Sequence, residues 1–426
     1  MTALVVGAAR SGVALAMHLI RHGDHVRLTD RKPASELEST LVQLPAGVEL
    51  RLGGHDESVL DGVDAVYASP GVPWDSELLD KARARGIPVS SEIDLFLRLC
   101  RGTVVGITGT NGKTTTTALA GEVLSAGDLP VIVGGNIGDT VLDRVDEITP
   151  EHWVVLELSS FQLESVERPH LHIGVILNIT PDHLDRHATV ERYVDFKARA
   201  IELADFALLN SRDPLVKPLA SRVTGELIWF DQHDPVPPMP LPGRHNIENA
   251  LAAAAIGRVA GLSDEAINDA ISKFKGVEHR LELVGEWEGI RWYNDSKATN
   301  PDAGRVALTA FPGRHVILIA GGYGAGFDLR EWVADVLANT QAVILIGASA
   351  DELAEELRAH PRVVRAASLE EAVSTAANLA REGSVVLLSP AYKSFDMFKD
   401  FEDRGNRFKA LVRQRFAAPG ARRAHN

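Results

Sequence analysis

The chain has 426 residues, which at ordinary domain sizes makes about two to four domains, with three expected. Apolar residues make up 45% and charged residues 24%, a globular composition that excludes a disordered chain, a collagen or a small disulfide scaffold. A net charge of −14, from 44 basic and 58 acidic residues, argues against duplex nucleic acid or anionic membrane as a partner.

Short β-type runs alternate with helical stretches from end to end, which predicts an α/β protein with largely parallel sheets. The first series has a strand at Leu4–Gly7, a helix ending at His22, and strands at His25–Thr29 and Ala65–Ser69. Its opening stretch, Met1–Ile20, lacks a basic leader and carries Arg10, so no signal peptide is expected. The turn Gly7-Ala8-Ala9-Arg10-Ser11-Gly12, with Asp30 ending the next strand, approaches a dinucleotide fingerprint. Ala9 replaces the glycine that admits a pyrophosphate closely, which disfavours a nicotinamide enzyme and leaves a nucleotide-sugar diphosphate near Arg10 and Ser11. Cys100 is the single cysteine, so a reducing cytoplasm is expected; no window of eighteen uncharged apolar residues predicts a membrane span.

The second series opens with a strand at Thr103–Thr108 and a helix from Lys113, followed by strands at Val131–Val133, Trp153–Leu158 and Ile173–Asn178. Gly106-Ile107-Thr108-Gly109-Thr110-Asn111-Gly112-Lys113-Thr114 joins strand to helix as a phosphate loop does. Backbone N–H groups and the helix N-terminus would face phosphate oxygens, Lys113 would reach the β/γ-phosphates, and the Thr114 hydroxyl suits magnesium. Ile107 stands where the first glycine belongs, so the loop is a variant; the bland alternative is a glycine-rich turn with an exposed lysine. Glu157 closes its apolar strand, where a carboxylate is costly unless something binds it; otherwise it is an edge residue facing water. Asp182, His183, Asp185 and His187 crowd the next loop, which alone reads as a solvated loop and beside a phosphate loop reads as a metal or substrate segment.

Pro235–Pro242 is read as an internal loop because Asn246 starts an alanine-rich helix (Ala250–Val259) directly after it, and the tail Pro419–Asn426 is read as frayed. The third series contains strands at Ile290–Asn294, His315–Ala320, Ala342–Ile346 and Val385–Leu388. Domain boundaries are expected near Glu92–Arg101 and Gly276–Arg280.

Several segments together resemble the Mur ligases of peptidoglycan synthesis: GITGTNGKTTT (Gly106–Thr116), ELSSFQLE (Glu157–Glu164), NITPDHLDRH (Asn178–His187), GRHNIENALAA (Gly243–Ala253), HRLE (His279–Glu282), NDSKATNPDA (Asn294–Ala303) and SPAYKSFDMFKDFEDRG (Ser389–Gly405). The resemblance spans nearly the whole chain. It implies three α/β domains: a Rossmann-like UDP-sugar-binding domain (1–92), a central P-loop ATPase-type domain with a mostly parallel sheet (93–277), and a C-terminal Rossmann-like amino-acid-binding domain (278–426). It implies a cytoplasmic, monomeric, ATP- and magnesium-dependent ligase that activates a carboxylate as an acyl phosphate. ELSSFQLE, NDSKATNPDA and SFDMF are most similar to the member that adds D-glutamate to UDP-N-acetylmuramoyl-L-alanine.

On that resemblance Lys113 would hold phosphates within a loop of Gly109, Thr110, Asn111, Gly112, Thr114 and Thr115. Thr114 and Glu157 would bind one magnesium, and His183 and a carbamate on Lys197 a second. Without the resemblance Lys197 reads as a solvated helix lysine. Asn246 and Asn249 would face adenine, Arg280 phosphate, and Asp295 the ribose or phosphate region. Asn136, Ser159 and Gln162 would contact the muramoyl part, and Arg10, Ser11, Asp30 and Arg31 the uridine diphosphate. Lys297, Thr299, Ser394, Phe395 and Phe401 would hold the amino acid. Two departures stand out. Ala325 occupies the place of a basic residue that pairs the glutamate side chain, and Lys393, where relatives have a small residue, is the candidate replacement charge; the bland alternative is a one-residue shift of register or a surface lysine. Phe395 replaces a smaller apolar residue, a change that packing alone would explain. The competing expectations are a Mur-type ligase for a different amino acid such as L-glutamate, and a nucleotide-sugar-binding regulator without catalysis.

Overall fold

The computed structural model describes residues 1–136, 140–166, 170–230, 235, 239, 241–311, 315–324 and 327–416, with the side chains of Ser39 and Asp185 left aside. Ala325, Ile137, Gly138, the Pro419–Asn426 tail and half of the Pro235–Pro242 loop lie outside the described residues. The chain divides into two compact units, Met1–Pro238 with Ile247–Ser272, and Met239–Asn246 with Lys273–Asn426.

The first unit holds two parallel sheets. One contains β1 (Thr2–Val6), β2 (His25–Asp30), β3 (Glu49–Leu52), β4 (Ala65–Ala68) and β5 (Val89–Ser91) in the order β3-β2-β1-β4-β5. The other contains β6 (Thr103–Thr108), β7 (Val131–Gly135), β8 (Trp153–Glu157), β9 (Leu171–Ile176), β10 (Ala204–Asn210) and β11 (Glu226–Phe230) in the order β11-β10-β9-β6-β8-β7. Strands buried on both faces are continuous apolar runs, which is why β6, β8 and β9 are legible in the sequence. A single apolar cluster serves the flanks of both sheets, running from Ala3, Leu15 and Phe96 to Val104, Leu156 and Ala200. The helix Glu92–Leu99 supplies part of that cluster, with Ser91 as its N-cap accepting from the Asp94 amide.

The second unit has one sheet, β12 (Glu282–Trp287), β13 (Ile290–Asn294), β14 (Val316–Ala320), β15 (Thr340–Leu345), β16 (Val363–Arg365) and β17 (Val385–Leu388), ordered β12-β13-β17-β14-β15-β16. Only the edge pair β12–β13 is antiparallel. Strand alternation splits β14 between two cores: Val316, Leu318 and Ala320 enter one, Ile317 and Ile319 the other. Arg404, in the helix Phe401–Phe416, is fully buried and donates to the carbonyls of Tyr392 (3.1 Å) and Ser296 (2.8 Å). Desolvation lowers its pKa to about 10, and the hydrogen bonds are what make its burial tolerable.

In the central strand β9, Gly174 leaves room for the helix Val190–Glu202: a Cβ there would meet the Ala200 carbonyl oxygen at 1.9 Å. Gly174→Ala is expected to lower the unfolding free energy by about 2 kcal/mol or more, read from urea denaturation.

Candidate active site

Parallel register places the site. Ile107 pairs with Glu157 across β6–β8, and Thr108 pairs with Ile176 across β6–β9, so three loops leave the sheet at one C-terminal edge. The phosphate loop follows β6. At Gly106 a Cβ would meet Leu171 and Leu158 methyl carbons at 2.6 and 2.8 Å, so those side chains would have to shift, and Ile107 is fully buried. Gly112 has φ +83°, and a Cβ there would lie 2.3 Å from Asn249 Oδ1, so only glycine fits against the helix Arg244–Val259. The helix Lys113–Ser125 starts immediately after it, with Thr114 and Thr115 buried.

The loop is anchored from the strand-end segment opposite. Asn178 Oδ1 accepts from the Asn111 amide (2.8 Å) and Asn178 Nδ2 donates to the Asn111 carbonyl (3.0 Å). The Thr110 hydroxyl lies 3.1 Å from the Tyr193 hydroxyl and donates to the Thr180 carbonyl. Lys113 Nζ donates to the Gly109 and Thr110 carbonyls at 2.9 and 2.8 Å.

Beneath the loop lies Lys197, which is 1% exposed, so the solvated-lysine reading is wrong. The helix Val190–Glu202 does show one exposed face, but the phosphate loop covers this position. Lys197 Nζ donates to the Gly109 carbonyl at 2.7 Å and sits 4.5 Å from the Tyr193 ring centroid. Two amines thus converge on one carbonyl. Desolvation first, and then the charge of Lys113, hold Lys197 well below the usual lysine range, toward the neutral amine.

Glu157 is 3% exposed, which removes the water-facing alternative. Asn136 Nδ2 donates to its Oε1 at 3.0 Å, while Oε2 is buried with no hydrogen-bond partner. A buried carboxylate oxygen left in this state suits a hard cation, and the Thr114 hydroxyl oxygen is of the same donor class. Ser159 and Gln162 form the capping box of the helix Ser160–Glu164, so both are already positioned by backbone hydrogen bonds.

The four acidic and histidine residues of the next loop separate. His183 is exposed in a left-handed conformation (φ 52°), with its Nε2 3.5 Å from Asp182 Oδ2. His187 is fully buried against Ser160 Oγ at 2.9 Å, and desolvation lowers its pKa to about 4, which makes it a neutral packing residue. The Asp185 side chain lies outside the described residues. On the first sheet, Asp30 accepts from the Ala8 amide (2.7 Å) and the Lys32 amide (2.9 Å), tying the two strand-end loops together beside exposed Arg10 and Arg31 and half-buried Ser11.

In the second unit, Asn246 is buried and donates to the Pro242 carbonyl. Asp295 accepts from Ser389 Oγ (2.8 Å) and the Leu281 amide (3.1 Å), and desolvation still raises its pKa to about 7. Arg280, Lys297 and Thr299 are half-buried, with Lys297 Nζ 5.9 Å from the Phe401 ring centroid. Ser394 is buried, whereas Phe395 is 64% exposed, so packing does not account for a phenylalanine there. Lys393 is exposed, and its backbone pairs antiparallel with Tyr323, beside the glycine turn. Sequence reasoning assigned no role to Asn178, Tyr193 or Arg404; Tyr193 and Asn178 bond partners 83 and 67 positions away, which no local pattern signals.

Three family descriptions match in order: "Mur ligase MurD-like, N-terminal domain" over 1–91, "Mur ligase middle domain" over 107–235, and "Mur ligase, glutamate ligase domain" over 279–392. The chain is 41% identical to a UDP-N-acetylmuramoylalanine–D-glutamate ligase of Pelotomaculum thermopropionicum, covering 96% of each. It is 42% identical to one of Acidobacterium capsulatum, covering 96% of this chain and 95% of that one. Among solved structures, a UDP-N-acetylmuramate-alanine ligase of Thermotoga maritima aligns at TM-score 0.61 and 20% identity, covering 97% and 100%. A Thermotoga maritima MurF ligase in complex with ADP aligns at 0.57 and 17% identity, covering 92% and 95%. These two carry the fold. Among the described residues no helix is long and apolar enough to cross a membrane.

The burial of Lys197 has a measurable consequence. Its folded-state pKa lies below the 10.5 of the unfolded chain, so between the two values the unfolded state binds more protons and stability rises with pH. Lys197→Met is therefore expected to be more stable than wild type at pH 7, by a margin that shrinks as pH is raised toward 10.5 in urea denaturation.

Proposed function

The chain belongs to the Mur ligase family, and from that premise we propose that it joins D-glutamate to UDP-N-acetylmuramoyl-L-alanine at the expense of ATP. What carries this reading is likeness over 96% of the chain to ligases named for that reaction. The phosphate loop supports it. The three domains are taken as 1–92 for the UDP-sugar, 93–277 for ATP and 278–426 for the amino acid. The protein acts on small molecules, as a cytoplasmic monomer.

A carboxylate is a poor acyl donor, so the reaction divides in two. The alanine carboxylate attacks the ATP γ-phosphorus, ADP departs, and an acyl phosphate forms. The amine of glutamate then attacks the acyl carbon; the tetrahedral adduct loses phosphate as the amide forms, and the amine proton passes to solvent. Charge neutralisation and positioning do most of the catalysis. Lys113, on a loop held rigid by Asn178 and Thr110, contacts the phosphates, with the amides of Gly112 to Thr115 around them. Asn249 and Asn246 face adenine; Arg280 and Asp295 serve the phosphate and ribose. Arg10, Ser11, Asp30 and Arg31 take the uridine diphosphate, and Asn136, Ser159 and Gln162 the muramoyl group. Lys297, Thr299, Ser394, Phe395 and Phe401 form the amino-acid pocket.

The donor set fits magnesium. Thr114 and Glu157 would hold one ion, and His183 with a Lys197 carbamate a second. Bound magnesium would offset phosphate charge. Lys197 is suited to carbamylation because a neutral amine is the form that adds carbon dioxide, and burial favours that form. Isotope-labelled bicarbonate is expected to give a carbamate carbon resonance in wild type and none in Lys197→Met.

Phosphate release from ATP is expected to require both UDP-N-acetylmuramoyl-L-alanine and D-glutamate. Glu157→Gln should lower kcat on the order of 10²–10³-fold. Release with L-glutamate or another amino acid would keep the ligase and change its substrate. Silence with every amino acid, despite nucleotide binding, would favour the regulator.

The Tyr323–Lys393 bridge supports a role for Lys393 at the glutamate side-chain carboxylate. Lys393→Ala is expected to raise KM for D-glutamate roughly tenfold or more with little change in kcat. An unchanged KM removes Lys393 from the pocket.

A further inference from the structure

Away from the phosphate loop, the helix Arg10–Arg21 and the 3-10 turn Val141–Glu147 meet across a polar cluster that the ligase chemistry does not use. His18 and His22 stand one helical turn apart on the same face, with ring centroids 4.1 Å apart. Asp146 approaches from the turn, its Oδ1 3.5 Å from His22 Nε2. One nitrogen from each imidazole and one carboxylate oxygen all lie within 4.8 Å of one another.

Two observations go beyond an ion pair. His22 Nδ1 lies 2.8 Å from the His18 carbonyl; donating there leaves the Nε2 lone pair facing Asp146. A backbone carbonyl fixing the far nitrogen is the usual support of a ligating histidine. His18 is 4% exposed, and its Nδ1 is buried with no hydrogen-bond partner. An unmet buried polar group is costly in a folded protein, so its presence calls for a reason. Arg21 is the neighbouring cation. Its guanidinium is directed to Asp143 Oδ1 at 4.0 Å and to the Met17 carbonyl at 3.3 Å, leaving Asp146 to the histidines.

We propose that His18, His22 and Asp146 form a binding site for a borderline divalent transition ion, zinc foremost, with water completing the coordination. Two imidazole nitrogens and a carboxylate oxygen are a zinc donor set and differ from the all-oxygen set that magnesium takes. Tetrahedral zinc, with bonds of about 2.0–2.1 Å, spaces its ligand atoms roughly 3.3 Å apart. The His22–Asp146 separation of 3.5 Å is already near that, and Asp146 is exposed enough to turn inward. The ion would tie the first sheet's leading helix to a turn of the second sheet.

The test uses the full chain without a polyhistidine tag, stripped with a chelator and held in excess magnesium. In calorimetric titration with zinc, wild type is expected to take up one equivalent in a phase that His22→Ala and Asp146→Asn each weaken at least roughly tenfold. Cobalt in place of zinc should give the intense visible bands of a four-coordinate ion in wild type, and zinc should raise the Tm of wild type alone. Both side chains are well exposed, and an unchanged near-UV circular dichroism confirms that the variants fold. No zinc uptake, an identical isotherm in all three proteins, or only the pale spectrum of octahedral cobalt overturns the site.

Discussion

Parallel pairing on either side of β6 is the constraint from which the site follows. Because β6, β8 and β9 run the same way in matched register, their C-terminal ends coincide, and the phosphate loop, Glu157 and the Asn178–His187 segment share one edge. No residue of the three needs to be long to reach the others. Moving β8 by one position would turn Glu157 to the opposite face of the sheet and leave Asn136 without its acceptor.

That edge is also where the fold tolerates unfavourable groups. Lys197 without water, Glu157 Oε2 without a donor and Gly112 against Asn249 are each adverse taken singly. They cluster at the one edge where the phosphate loop sits, and the surrounding apolar strands hold them there. Asn178, Thr110 and Tyr193 add the rigidity that keeps the loop from relaxing.

Much of this was legible in the sequence because the functional segments are contiguous and the inner strands are continuous apolar runs. The strands not foreseen were β3, β5, β10, β11, β12 and β16, and all except β10 are edges of their sheets. An edge strand such as Glu49–Leu52 is largely exposed and has no apolar run to detect. β10 escaped for another reason: Ala204 follows the helix Val190–Glu202 almost directly, with no turn residue to mark the break. The helix from Lys113 begins where it was read, and the alanine-rich helix read from Asn246 begins two residues earlier, at Arg244. The burial of Lys197 is set by the loop packed over it, a relation between positions 88 apart, and composition around Lys197 does not encode it.

Arg404 gives the second unit a timing problem during synthesis. The Ser296 carbonyl it satisfies is made 108 positions earlier, and at about 5–20 residues per second roughly 5–20 s pass before the guanidinium is available. Through that interval the segment after β13 has its backbone acceptor unmet and the apolar face of β13 and β14 that carries Trp292, Ile317 and Ile319 lacks Phe408 and Val412. The nascent chain therefore presents a chaperone with a window that closes only as the helix Phe401–Phe416 leaves the ribosome.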